Sequence, residues 1–248
     1  MTEILIEDFK HPTHTWIAKN DPVMGGKSTG TVTLADGLAI FDGQVVNVPF
    51  LQAPGFITME TRRGVWPDVS ACQGLVVRMR ATEPYDGYRL SFGNVHVPGG
   101  RFAYGYKANF AVNNTFADVY LPFDQFTAKW DDATGDAIVT CAENARYCPT
   151  TQSLQNLQTL IFWGEGVAGK VHLEIASIRG AHCGEALSVN YLTTSRRLSW
   201  VLSSWTWGPL AVCVVAALVA IVVKRIVTTV RKRAQYSTLQ RESLEIQV

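Results

Sequence analysis

Residues 201–223 read VLSSWTWGPLAVCVVAALVAIVV and carry no charge. At about 1.5 Å of rise per residue, some 20 apolar residues cross a hydrocarbon core of roughly 30 Å. Pro209 would restrict or kink a soluble helix, but a membrane span tolerates it. Trp200, Trp205 and Trp207 cluster at one end as interfacial aromatics do, and Lys224 and Arg225 stop the other. A buried core helix is the competing reading, but such helices usually carry a polar stripe. The sequence therefore predicts a body at 1–183, a polar linker at 184–200, a single membrane helix at 201–223 and a tail at 224–248.

Charge sets the orientation. The whole chain has a net charge of +1, which gives no reason to expect nucleic acid as a partner. The tail holds Lys224, Arg225, Arg231, Lys232, Arg233 and Arg241 against Glu242 and Glu245, so it is basic and the rest mildly acidic. Positive charge stays on the cytoplasmic side, so the tail is expected there and the body in a lumen or outside the cell. The opening MTEILIEDFK is neither a signal peptide nor a transit peptide in pattern. Either a targeting segment precedes Met1, or the protein is tail-anchored, with a mitochondrial membrane as the alternative site. Tyr236-Ser237-Thr238-Leu239 matches the Y-x-x-hydrophobic sorting pattern, in which Tyr236 and Leu239 are the two reading positions. A plain solvated tail accounts for it equally well. The basic run also suits anionic lipid heads.

The chain is 47% hydrophobic, enough for the body to bury a sizeable core. That body breaks into short β-type segments separated by Gly, Pro, Asn and Asp. Residues 29–34 and 38–41 flank Ala35-Asp36-Gly37, a hairpin signal. Further strands are expected at 56–61, 74–80, 88–94, 104–112, 119–121, 160–163 and 171–178, and no long amphipathic helix outside 201–223. About ten short strands in one run predict an all-β, two-sheet sandwich such as a jelly roll.

Several segments resemble one family in order. Asn20-Asp21-Pro22-Val23-Met24-Gly25-Gly26-Lys27-Ser28-Thr29-Gly30 resembles the N-D-x-V-M-G-G-x-S-x-G signature of the CIA30 family, named after complex I intermediate-associated protein 30. Ala39-Ile40-Phe41-Asp42-Gly43, Pro54-Gly55-Phe56, Gly74-Leu75-Val76-Val77-Arg78-Met79-Arg80 and Val119-Tyr120-Leu121-Pro122-Phe123 resemble its later pattern. The resemblance implies a galactose-binding-like jelly-roll β-sandwich acting as a non-catalytic assembly factor or chaperone, for mitochondrial complex I in the best-known members. The added C-terminal span and the stretch at 126–140 depart from that pattern.

The chemistry is sparse. In the signature, Asn20, Asp21, Met24, Gly25, Gly26 and Ser28 read as a partner-binding loop, although Asn, Asp and Gly serve first as turn formers. His11-x-x-His14 lacks further ligands for zinc, and the other histidines read as surface residues too. Asp131, Asp132 and Asp136 around Gly135 resemble a calcium loop without its terminal Glu, so a solvated loop is the simpler reading. No nucleophile or metalloprotease motif is present, so no catalysis, metal or cofactor is expected. Cys72, Cys141, Cys148 and Cys183 allow three pairings or four free thiols; Cys141 with Cys148 and Cys72 with Cys183 is the favoured set. Asn113-Asn114-Thr115 is a glycosylation sequon at Asn113. Two functions are consistent with this chemistry. One is a membrane-tethered module binding a protein, such as an assembly intermediate of a membrane complex. The other is a lectin-like or receptor-like domain binding carbohydrate, with Phe102, Tyr104 and Tyr106 as candidate stacking rings.

Overall fold

A computed structural model describes residues 2–21, 26–49, 52–62, 64–96 and 104–184. All of them lie in one of two compact units, Met1–Val189. The second unit, Asn190–Val248, lies outside the described residues and holds the 201–223 run, Tyr236 and Leu239. Among the described residues no helix is long and apolar enough to cross a membrane.

The strands, in chain order, are β1 (Ile4–Asp8), β2 (Trp16–Asn20), β3 (Thr29–Ala35), β4 (Leu38–Val45), β5 (Asn47–Val48), β6 (Ala53–Pro54), β7 (Phe56–Thr61) and β8 (Gly74–Ala81). They continue with β9 (Tyr88–His96), β10 (Tyr104–Asn109), β11 (Ala117–Pro122), β12 (Lys129–Trp130), β13 (Ala137–Val139), β14 (Leu160–Glu165) and β15 (Gly169–Ala181). One short helix, α1 (Thr151–Gln155), opens on a capping box between Thr150 and Ser153.

Two antiparallel sheets form the sandwich. The first has the order β11-β8-β15-β4-β3, with β1 beside the far end of β15. The second has the order β10-β9-β14-β7-β2. Strand alternation decides which side chains meet. Leu75, Val77 and Met79 of β8 and Leu173 and Ile175 of β15 face Leu90 and Phe92 of β9, Leu160 and Phe162 of β14, and Ile57 and Met59 of β7. The Tyr88 hydroxyl, on this inner side, accepts from the His172 backbone N–H at 3.3 Å, and burial pushes its pKa up to about 12.

The β3–β4 hairpin turns through Asp36 and Gly37, both at positive φ (53° and 75°). That is the two-residue turn whose twist matches the strands, and Asp-Gly adopts it readily. At the other end of the hairpin, Gly30 and Gly43 are cross-strand partners. A Cβ on Gly43 would stand 2.4 Å from Ile57 Cδ1 and 2.5 Å from the Thr29 carbonyl oxygen. The glycine pair lets Ile57 of the second sheet press onto the first.

Some strand expectations need correction. β15 is longer than 171–178, because its terminal glycines remain in the ladder with β8 and β4. β10 ends at Asn109 rather than at residue 112, and β2, β5, β6, β12 and β13 are strands that the sequence pattern does not signal. Their sequences are too short or too polar to declare a period, and each forms only beside a partner supplied from elsewhere.

Candidate binding face

The outer face of the second sheet carries the polar and aromatic side chains that the core rejects. Register aligns Lys107, Ser91, Ile161, Glu60 and Ile17 in one cross-strand row. Asn109, Arg89, Trp163, Thr58 and Lys19 form the next, with Glu165 opposite Phe56 beyond it.

Half of this face is roofed. After a single turn at Phe123–Gln125, Thr127 exchanges backbone hydrogen bonds with Lys107, and the chain folds back through β12 and β13. Trp130 of β12 lies over the face and donates its indole N–H to the Gly105 carbonyl at 3.3 Å. The Lys107 ammonium sits 3.6 Å from the Trp130 ring centroid and 3.8 Å from that of Trp163. It donates to Glu165 Oε1 at 2.5 Å, and its side chain is wholly buried. Burial lowers the Lys107 pKa, and the Glu165 carboxylate opposes that shift. The two indole faces add cation–π attraction in place of water. At the rim, Asp136 accepts from Arg89 at 2.9 Å and from Asn109 at 3.3 Å. Gly135 at positive φ passes so close to Glu165 that a Cβ there would meet Oε1 at 2.2 Å.

The other half is open. Trp163 is half-buried, donates its indole N–H to Ser91 Oγ at 2.8 Å, and packs on Phe56 with centroids 5.6 Å apart. Around this pair stand Ile161, Thr58, Glu60 and Lys19, with Thr58 Oγ1 donating to Glu60 Oε2 at 3.2 Å. The roof makes one wall and β2 the opposite edge. The result is an aromatic floor with hydrogen-bonding groups beside it, an arrangement able to hold a ligand without chemistry of its own.

The predicted partner loop is different. Asn20 Oδ1 accepts from the Gly30 backbone N–H at 2.7 Å. Asp21 is buried; a Cβ on Gly26 would stand 2.3 Å from its Cγ, and one on Gly55 2.4 Å from its Oδ2. Ser28 Oγ accepts from the Val46 N–H at 3.0 Å and donates to the Val46 carbonyl at 3.4 Å. Asn20, Asp21, Gly26 and Ser28 thereby help tie β2, β3 and the turn after β4 together. Met24 and Gly25 lie outside the described residues.

The remaining candidates fall as follows. The structure joins Cys72 to Cys183 and Cys141 to Cys148. Asn113 is exposed between β10 and β11. Asp131 Oδ1 closes its own turn by accepting from the Ala133 and Thr134 N–H groups at 2.9 and 3.0 Å, and Asp136 serves Arg89. Among the described residues no group of three or more His, Cys, Asp or Glu is placed to hold a metal. His14 is not a surface histidine, being mostly buried against Glu7, and His172, on the outer side of the first sheet, is held between Asp42 and Glu174. Tyr106 points into the core, so it cannot stack on a ligand, and Phe102 lies outside the described residues. Tyr104 starts β10. Trp163, Phe56, Lys107 and Glu165 carry no signal in the sequence, since only register puts them on one face.

No curated protein matches the chain. Among solved structures it is similar to a family 11 carbohydrate-binding module from Clostridium thermocellum in complex with a β-1,3-1,4-mixed-linked tetrasaccharide. That match has 13% identity and a TM-score of 0.49, over 74% of this chain and 98% of that one. A second structure of such a module, from the cellulosomal cellulase Lic26A-Cel5E of Clostridium thermocellum, gives 12% and 0.49 over 73% and 95%. An agarase, AgWH50C, gives 9% and 0.43 over 73% of this chain and 25% of its own. The family model described as complex I intermediate-associated protein 30 (CIA30) matches residues 7–138, more than half of the sequence, and the chain belongs to the CIA30 family.

Proposed function

We propose that this protein is a membrane-tethered, non-catalytic binding module of the CIA30 type, and that it holds a protein partner on the open half of the second sheet's outer face. The observation that carries the reading is the half-roofed face, where the buried Lys107–Glu165 pair anchors one wall and the half-buried Trp163 and Phe56 lie beside it. Aromatic groups on a rigid sheet make strong anchors because little freedom is lost on binding. The partner is a component or assembly intermediate of a membrane complex, confined to the same bilayer by the 201–223 run. Affinity purification of the full chain, after crosslinking in its native membrane, tests this. A membrane-complex subunit should co-purify with the wild type and be lost with Trp163→Ala plus Phe56→Ala. Retention of every partner by that variant would mean that binding occurs elsewhere on the molecule.

A second reading has its own support. Trp163 and Phe56 flanked by Glu60 and Lys19 combine ring faces with an acceptor and a donor, as a carbohydrate requires. A glycan array would give saturable binding to at least one oligosaccharide, abolished by Trp163→Ala; an array without hits leaves the protein partner alone. The two disulfides and the exposed Asn113 support a luminal or extracellular body over a mitochondrial one. Glycosidase treatment of the native protein should raise its gel mobility, and Asn113→Gln should abolish the change.

A further inference from the structure

A cleft of about 1040 Å³ lies between β1 and the segment after β7, and its lining shares no residue with that face. Both walls are pinned. Glu7, buried in β1, accepts on Oε1 from the Thr13 N–H (2.8 Å) and hydroxyl (3.1 Å), and on Oε2 from the His14 N–H (3.2 Å) and the Trp16 indole N–H (3.2 Å). Its carboxylate is saturated and has nothing left for a ligand. The two ring nitrogens of His14 lie 3.1 Å from Glu7 Oε2 and 3.1 Å from the Val65 carbonyl oxygen, and the ring stacks on Trp66 at 3.5 Å. Gly64 permits this closure, since a Cβ there would stand 2.7 Å from His14 Cδ2. The Gly64 N–H is tied in turn to the Gln158 carbonyl at 3.2 Å.

Two side-chain donors on its lining, those of Trp66 and Arg62, lack a partner among the described residues. Trp66 is 6% exposed, and its indole Nε1–H is buried with no hydrogen-bond partner. A buried donor left without an acceptor is unfavourable, so an acceptor arriving there gains what the fold forgoes. Arg62 is exposed on the same wall and makes no ion pair among the described residues. Asp8, also on the lining, is turned to the Lys10 N–H (3.0 Å) and toward His11. Two apolar side chains also stand exposed there, Val65 at 92% and Leu5 at 56%.

We propose that this cleft is a binding site for a small organic carboxylate with an apolar body. The carboxylate meets the Arg62 guanidinium and the Trp66 indole N–H, and the apolar part lies on Leu5 and Val65. Guanidinium and carboxylate match in geometry and charge, whereas a neutral amide keeps the shape and loses the ion pair. The site is independent of the face that the proposed function uses.

The test is a titration of the ¹⁵N-labelled full chain with phenylacetate, followed by the indole N–H resonances. The chain has 7 tryptophans, and Trp66→Phe identifies the one resonance needed. The Trp66 signal should move saturably, with affinity about tenfold weaker for Arg62→Gln and for phenylacetamide as ligand. Trp163→Ala, which disables the other face, should leave the titration unchanged. A Trp66 resonance that does not move, an amide that binds as well as the acid, or an Arg62→Gln chain that binds as well as the wild type overturns the proposal.

Discussion

Lys107 shows how one side chain can commit a region to a single arrangement. Its ammonium is paired with Glu165 and lies against two indole faces, and its side chain is wholly buried. Such a pair is weak evidence of net stabilisation, but breaking it is costly, because one charge is then buried alone. Lys107→Met should therefore lower unfolding free energy by about 3–5 kcal/mol, and Lys107→Met with Glu165→Leu should recover much of it. Urea unfolding of the single and double variants checks this; equal losses would mean that the pair is not coupled. Asp21 constrains its surroundings through glycine. A methyl on Gly55 would fall 2.4 Å from Asp21 Oδ2 and 2.6 Å from Ser28 Oγ. Gly55→Ala should cost about 1–3 kcal/mol by overpacking, measured the same way, without changing ligand binding at Trp163.

At the scale of elements, β4, β15 and β8 are linked on their outer side by a row of charge. His172 of β15 faces Asp42, its cross-strand partner on β4, and lies 3.2 Å from Glu174, which Arg80 of β8 grips with two hydrogen bonds at 2.9 and 3.1 Å. Burial alone would lower the His172 pKa, but hydrogen bonds and charge from Asp42 and Glu174 outweigh it and raise the pKa above its ordinary value. A histidine raised in the folded state contributes stability that is full below its unfolded pKa of about 6.5. That stability is lost as pH rises through the folded value. The effect is modest, since Asp42 is half-exposed. Because the folded state holds the proton more tightly, the gap in urea midpoint between wild type and His172→Gln should shrink from about pH 5.5 to 8.5. A gap that widens over that range would refute the assignment.

Across the whole molecule, the two disulfides close loops of very different size. Cys72–Cys183 joins positions 111 residues apart, from the approach to β8 to the end of β15, whereas Cys141–Cys148 spans 7 within the roof over the second sheet. Chain entropy predicts a loss of about 5 kcal/mol on removing the first and about 2 kcal/mol on removing the second. Paired Cys→Ala variants followed by thermal unfolding should rank in that order. The smaller variant should also loosen the roof locally, seen as faster amide exchange at Trp130 while Leu75 stays protected.

The sequence by itself determined the strands that declare their own period or turn. The segment 56–61 coincides with β7, and Asp36-Gly37 specified the β3–β4 hairpin, because turn chemistry and alternation are local properties. The ordered motifs likewise carried family membership. Only the tertiary structure decided what those motifs do. Asp21, Gly26 and Ser28 have the composition of a loop awaiting a partner, yet Gly55 and Val46, distant in sequence, bring their partners to them. The candidate binding face was equally hidden. Lys107, Trp163, Glu165 and Phe56 lie on three strands, and a shift of one residue in any register would turn its member into the core. Pairing between strands selects a face, and that pairing is a long-range choice absent from any local pattern.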